Sequence, residues 1–125
     1  MSTHRIAVSV FTLLLAFAGF TLQQAQAHAR LINQSPAAGA VITAAPQTLT
    51  LNFTEGIKPG LSGLTLIGPN NSQIALGTPK IDPANPAQMI VPIEKPLASG
   101  TYQVQWHAVS QDSHKTQGNY AFSVK

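Results

Sequence analysis

The 125-residue chain contains no cysteine. That excludes disulfides, thiolate metal centres and an N-terminal Cys for lipid attachment, so the fold must hold by packing alone. Charge is scarce as well. Asp, Glu, Lys and Arg make up 9% of the residues, and the net charge is +3 at pH 7. The basic residues beyond position 27 (Arg30, Lys58, Lys80, Lys95, Lys115 and Lys125) are widely spaced. They form no stripe or cluster that would track phosphates, which argues against a nucleic-acid partner. Methionine occurs only at Met1 and Met89, and aromatic residues are 6% of the chain. A thioether-rich site for a soft metal ion is therefore not available. Beyond residue 28 there is no 3.6-residue apolar period of useful length, which excludes an amphipathic helix.

What is present begins with a leader. His4 and Arg5 precede the apolar run "IAVSVFTLLLAFAGF", and the polar tail "TLQQAQA" ends in the small-x-small pattern Ala25-Gln26-Ala27. The run is shorter than the ~20 apolar residues a membrane span requires and matches a secretory signal peptide over residues 1–27. Cleavage after Ala27 makes His28 the first residue of the mature chain, with a free α-amine, and implies export. The remaining residues, 28–125, suffice for one small domain that buries somewhat over ~60% of its unfolded surface.

That domain reads as all-β. "TLTLNFTE" sends Leu49, Leu51 and Phe53 to one face, and "TYQVQWHAV" does the same with Tyr102, Val104, Trp106 and Ala108. "NYAFSVK" alternates Tyr120, Phe122 and Val124 with polar residues. Such alternation is the pattern of half-buried antiparallel strands. "GLTLIG" and "QMIVPIE" are further strands, with "ARLINQSP" and "SQIALG" weaker ones. Pro92 makes "QMIVPIE" an edge strand or a bulge, and "GTPKIDPANPAQ", with its three prolines, reads as a surface loop. Roughly seven short strands separated by Pro, Gly and Asn turns predict a Greek-key β-sandwich or barrel. Its expected core is Leu51, Phe53, Leu66, Val91, Tyr102, Val104, Trp106, Tyr120, Phe122 and Val124.

Chemistry concentrates at His28 and at Asp112-Ser113-His114. A terminal histidine offers a metal both its α-amine and its imidazole, a chelate that no internal histidine makes. A chain-terminal α-amine ordinarily titrates at roughly 7.7–8.0, so freeing its lone pair near neutral pH costs only about 1 kcal/mol. If the segment is extended, Asp112 and His114 project to the same side about 6.5 Å apart. Three nitrogens and a carboxylate oxygen suit tetragonal Cu(II), which stands at the top of the divalent affinity order. Zinc competes for the same donors but prefers a tetrahedron. Taken alone, D-x-H reads first as an exposed turn pair, and His107, on a polar strand face beside Gln103 and Gln105, reads as solvent-facing.

The stretches "HARLINQSPAAGAVITAAPQTLTLNFTEGI" and "LASGTYQVQWHAVSQDSHKTQGNYAFSVK" behind a signal peptide resemble the CopC family of periplasmic copper-resistance proteins, in the short form of enteric bacteria. The carriers of the resemblance are the His-Ala start, the Ser35-Pro36-Ala37 turn, "LTLNFTE", and Gly100-Thr101-Tyr102 running through Trp106 to Asp112-x-His114 and the closing Gly-x-Tyr-x-Phe-x-Val. It implies a sandwich of immunoglobulin-like or cupredoxin-like outline that binds one Cu(II) through His28, Asp112 and His114. It also implies that the protein sequesters copper or hands it to an inner-membrane CopD-like transporter; separately, no long unbroken apolar edge demands association, so a monomer is expected. Glu55 matches an acidic position near the site in some members. Members that also hold Cu(I) have a methionine-rich loop with a histidine. Beyond residue 27 this chain has one methionine, Met89, in an apolar strand, and no histidine between His28 and His107, so a Cu(II)-only protein is expected. Two other readings remain: a copper-dependent oxidative enzyme built on the terminal histidine, opposed by the small size and inward aromatics, and a metal-free sandwich serving as an interaction module.

Overall fold

A computed structural model describes residues 28–125. The expected signal peptide, residues 1–27, lies outside the described residues. Eight strands form two sheets: β1 (Leu31–Ser35), β2 (Val41–Ile42), β3 (Thr48–Phe53), β4 (Gly63–Ile67), β5 (Gln73–Ile74), β6 (Gln88–Pro92), β7 (Gly100–Val109) and β8 (Lys115–Val124). One sheet has the order β1-β3-β6 and the other β2-β8-β7-β4-β5. The chain changes layer at β1→β2, β2→β3, β3→β4, β5→β6 and β6→β7, and this crossing wraps the two sheets around one core. Among the described residues no helix is long and apolar enough to cross a membrane.

The expected alternation is what fills the sandwich. Leu49, Leu51 and Phe53 are buried while Thr48 is exposed, and along β7 Tyr102 and Val104 are buried between exposed Thr101, Gln103 and Gln105. Met89 and Val91 of β6 and Tyr120, Phe122 and Val124 of β8 close the core. Trp106 departs from expectation: it is only half-buried. Its partner across the hairpin is Gly118, and a Cβ built on Gly118 would lie 2.8 Å from Trp106 Cζ2. The indole therefore lies over the bare backbone of β8 at the mouth of the core, with Phe53 edge-on at 5.4 Å between ring centroids.

Three further expectations are corrected. Strand β2, too short to show a period, is not among the strands expected from sequence, and it pairs with β8 in parallel, Val41 opposite Ser123. The segment 77–88 is more than a surface loop. Lys80 and Ile90 exchange backbone hydrogen bonds at 2.8 and 3.0 Å, and Gly77 N–H donates to Pro92 O at 2.8 Å, so this segment lies along the outer side of β6. That placement agrees with Pro92 marking an edge strand. Finally, Asp112 and His114 lie in the turn between β7 and β8 rather than on extended chain, and Ser113 takes a positive φ of 70°.

Strand β1 carries a bulge. Leu31 pairs with Phe53 but Asn33 pairs with Asn52, so Ile32 is the extra residue and is 60% exposed. A bulge bends and re-aims its strand. Here it lies at the end of β1 that leads back to His28.

Candidate metal centre

Two long strands, β7 and β8, carry one half of the site in the turn that joins them. The turn is built on Ser110, which is fully buried. Its backbone N–H donates to His114 O at 2.9 Å and Ser113 N–H donates to Ser110 O at 2.8 Å. The Ser110 hydroxyl donates to Asp112 Oδ1 and accepts the His114 backbone N–H at 3.2 Å. Asp112 Oδ2 in turn lies 2.9 Å from His114 Nδ1. The hydrogen bond from Ser110, and then that from His114, stabilise the carboxylate and hold its pKa at about 2, below the ordinary 3.8. Because Nδ1 of His114 is engaged by the carboxylate, Nε2 is the nitrogen left free to accept a proton or an ion.

The other half comes from the opposite end of the domain sequence. The His28 ring stands 4.4 Å from the His114 ring between centroids, edge to face at 82°. His28 Nδ1 is buried and has no hydrogen-bond partner. Buried polar atoms are nearly always satisfied, and an exception calls for an explanation such as an ion that takes up the lone pair. An imidazole nitrogen without a hydrogen-bond partner, withdrawn from water beside a second imidazole, fits a borderline-soft divalent metal.

All three expected ligands thus come into one neighbourhood, but as a chain of neighbours: Asp112 against His114, and His114 against His28. Among the described residues no three of His, Cys, Asp and Glu already converge as a metal-holding group. His107 is exposed on the outer face of β7. Glu55 lies on the segment leaving β3, which abuts the turn through the hydrogen bond from Gln111 N–H to Gly56 O at 3.2 Å.

Sequence reasoning does not reach the supports. A lone serine after a strand, as at Ser110, carries no chemical signal of its own; the one clue is position, since the inward series Tyr102, Val104, Trp106, Ala108 extends by period two to Ser110, which is buried. Thr54 and Thr116, whose hydroxyls touch the backbone of residues 28–30, look in the sequence like ordinary polar-face or turn residues.

Comparison with known proteins decides the family, because the CopC domain model matches residues 31–125. The chain belongs to the CopC family. Among the relatives of this CopC domain, Protein YobA of Escherichia coli K12 is 52% identical over 99 residues, covering 79% of this chain and 80% of that protein. Copper resistance protein C of Xanthomonas campestris pv. juglandis is 34% identical over 119 residues, covering 91% of this chain and 93% of its own. Among solved structures, CopC from Methylosinus trichosporium OB3b superposes with a TM-score of 0.74 at 26% identity, over 78% of this chain and 94% of that one. PcoC from Escherichia coli, described as a methionine-rich copper resistance protein, superposes with a TM-score of 0.70 at 36% identity, over 79% and 100%.

Proposed function

We propose that this CopC protein is exported to the periplasm, trimmed after Ala27, and binds one Cu(II) per monomer for sequestration or delivery. The ligands are the α-amine and Nδ1 of His28, the imidazole of His114, and Asp112. The observation that carries the reading is the buried, unpartnered Nδ1 of His28 beside the His114 ring. Nδ1 is the ring nitrogen that closes a chelate with the residue's own amine, through Cα, Cβ and Cγ. In the metal-free protein Asp112 engages His114 Nδ1 at 2.9 Å and so keeps that ring beside His28; to serve as a ligand its carboxylate would turn from the ring to the ion.

Binding and release, rather than oxidative catalysis, is the proposed role. Phe53, Tyr102, Tyr120 and Phe122 are buried in the core and so are not free to form the flat stacking face that a polysaccharide substrate needs. The ion held is Cu(II) and not Cu(I), since Met89 is fully buried in the core and soft thioether ligands select the reduced ion. PcoC, by contrast, is described as methionine rich. The proposed recipient is an inner-membrane CopD-like transporter.

The test compares the mature protein beginning at His28 with His28→Ala and with a form carrying one extra residue before His28. Cu(II) titration against a competing chelator, followed by electron paramagnetic resonance, should give a nitrogen-rich tetragonal signal for the first. Affinity should fall by orders of magnitude in the other two, because the extra residue turns the amine into an amide. Equal affinity in all three refutes the assignment, as does periplasmic protein whose mass places its first residue elsewhere than His28.

A further inference from the structure

The peptide that follows His28 is held from both sheets. Thr116 on β8 donates its hydroxyl to Ala29 O at 2.9 Å. Thr54, directly after β3, accepts the Arg30 N–H on Oγ1 at 2.9 Å and donates its own N–H to Arg30 O at 2.8 Å. Its hydroxyl also lies within donating distance of His28 O, at 3.4 Å. Strand β3 belongs to the three-stranded sheet and β8 to the five-stranded one, so the two hydroxyls reach the same tripeptide from opposite layers. Between them Ala29 is fully buried, its methyl group seated in the core.

This arrangement is unusual for a chain end. The first residues of a domain are ordinarily mobile unless something ties them down, and a ligand on a mobile segment must be ordered when the ion binds. Here the carbonyls of His28 and Ala29 and the N–H of Arg30 all point to threonine hydroxyls. The His28 ring is set against His114 by bonds that involve neither ring.

We infer that Thr54 and Thr116 are positioning residues of the copper site. They fix the His28–Arg30 peptide between the sheets so that the chelating residue faces His114 before the ion arrives. The inference rests on the Cu(II) reading above, but the clamp has a readout that needs no copper.

The test uses the mature protein with Thr54→Val and Thr116→Val, which keep the branched shape and remove the hydroxyl, and with Thr54→Ser and Thr116→Ser, which restore it. In the metal-free protein, nuclear Overhauser contacts between the His28 and His114 rings report the clamp. Cu(II) titration against a chelator reports its effect. Each valine variant should lose the ring contact and bind Cu(II) about 10–100-fold more weakly, the loss typical when a group that orients a metal ligand is removed. Each serine variant should recover both. Valine variants that keep the ring contact and the wild-type affinity would overturn the inference, and so would a loss that serine does not restore, since that reports packing and not the hydroxyl. If the ring contact is lost while wild type, His28→Ala and the valine variants all titrate alike, the clamp stands and the copper reading falls.

Discussion

Replacing Asp112 separates the part it plays toward an ion from the part it plays in the fold. In the metal-free protein its carboxylate has two side-chain partners, the Ser110 hydroxyl on Oδ1 and His114 Nδ1 on Oδ2. Asp112→Ala deletes both, but Ser110 keeps the His114 backbone N–H at 3.2 Å and lies 3.3 Å from His114 O. The buried hydroxyl is therefore not orphaned, and the turn keeps its backbone bonds. Since the side chain of Asp112 is 37% exposed, water screens its pair with His114 and the melting temperature at neutral pH should barely move. Copper affinity should behave differently. Losing the carboxylate should weaken Cu(II) binding by at least the roughly 10–100-fold that is typical when a group orienting a metal-binding histidine is removed. Asp112→Asn, whose amide oxygen can still accept from Nδ1 but carries no charge, should fall between wild type and alanine. The pH dependence provides a second check. The folded protein holds this carboxyl at about 2 against an ordinary 3.8, so its contribution to stability is fully present above the higher value and is lost as pH falls toward the lower. Because solvent screens the group, the stability difference between wild type and Asp112→Asn is small at neutral pH, and what there is of it should vanish as pH falls between those two values. Chelator competition at neutral pH and thermal melts across the acid range are the assays. Wild-type affinity in Asp112→Ala, or a drop in affinity matched by an equal collapse of the metal-free fold, would refute the reasoning.

Two further predictions concern the core beneath the site. The Tyr120 hydroxyl is buried without a hydrogen-bond partner, and burial pushes its ionisation well above the ordinary 10.0. Tyr120→Phe should be neutral or stabilising by up to about 1 kcal/mol in a denaturant titration, whereas a clear loss of stability would mean the hydroxyl is satisfied by water. Gly118→Ala places a methyl group 2.8 Å from Trp106 Cζ2 and should displace the indole from Phe53 at a cost of about 1–3 kcal/mol. The chain's single tryptophan makes emission a direct monitor, and an unchanged spectrum and midpoint would show that the ring yields freely.

Much of this architecture is legible in the sequence because period-two alternation is a direct image of a two-layer core. Leu49, Leu51 and Phe53, or Tyr102 and Val104, face inward for the same reason they alternate with polar residues. What escapes is whatever depends on backbone partners distant in sequence. Strand β2 is two residues long and is held by Ser123 and Val124, and nothing in "VI" announces a parallel neighbour. Trp106 obeys the alternation, yet its exposure is set by its place at the sandwich mouth, which a period does not encode. The proposed site is legible in its candidate donors, since a histidine placed after a signal-peptide pattern and D-x-H are statements of chemistry. It is not legible in its geometry. An extended Asp112–His114 segment would have left both side chains free for an ion, whereas the turn around buried Ser110 folds the carboxylate onto its own neighbour. The threonines give no signal because hydroxyl-to-carbonyl bonds across 87 residues, as from Thr116 to Ala29, leave no local pattern.

The segment that runs beside β6 bears on how such molecules behave when crowded. A strand edge with free amides and carbonyls is a template on which a second polypeptide can extend the sheet, and proteins guard against this. Through Lys80 and Gly77 this domain occupies that template with its own chain, and at the far side of the same sheet β1 is interrupted by the bulge at Ile32. Neither margin of the three-stranded layer offers a long flat seam. Self-association by strand addition is thereby discouraged, and recruitment of another polypeptide to this layer would have to proceed through side chains.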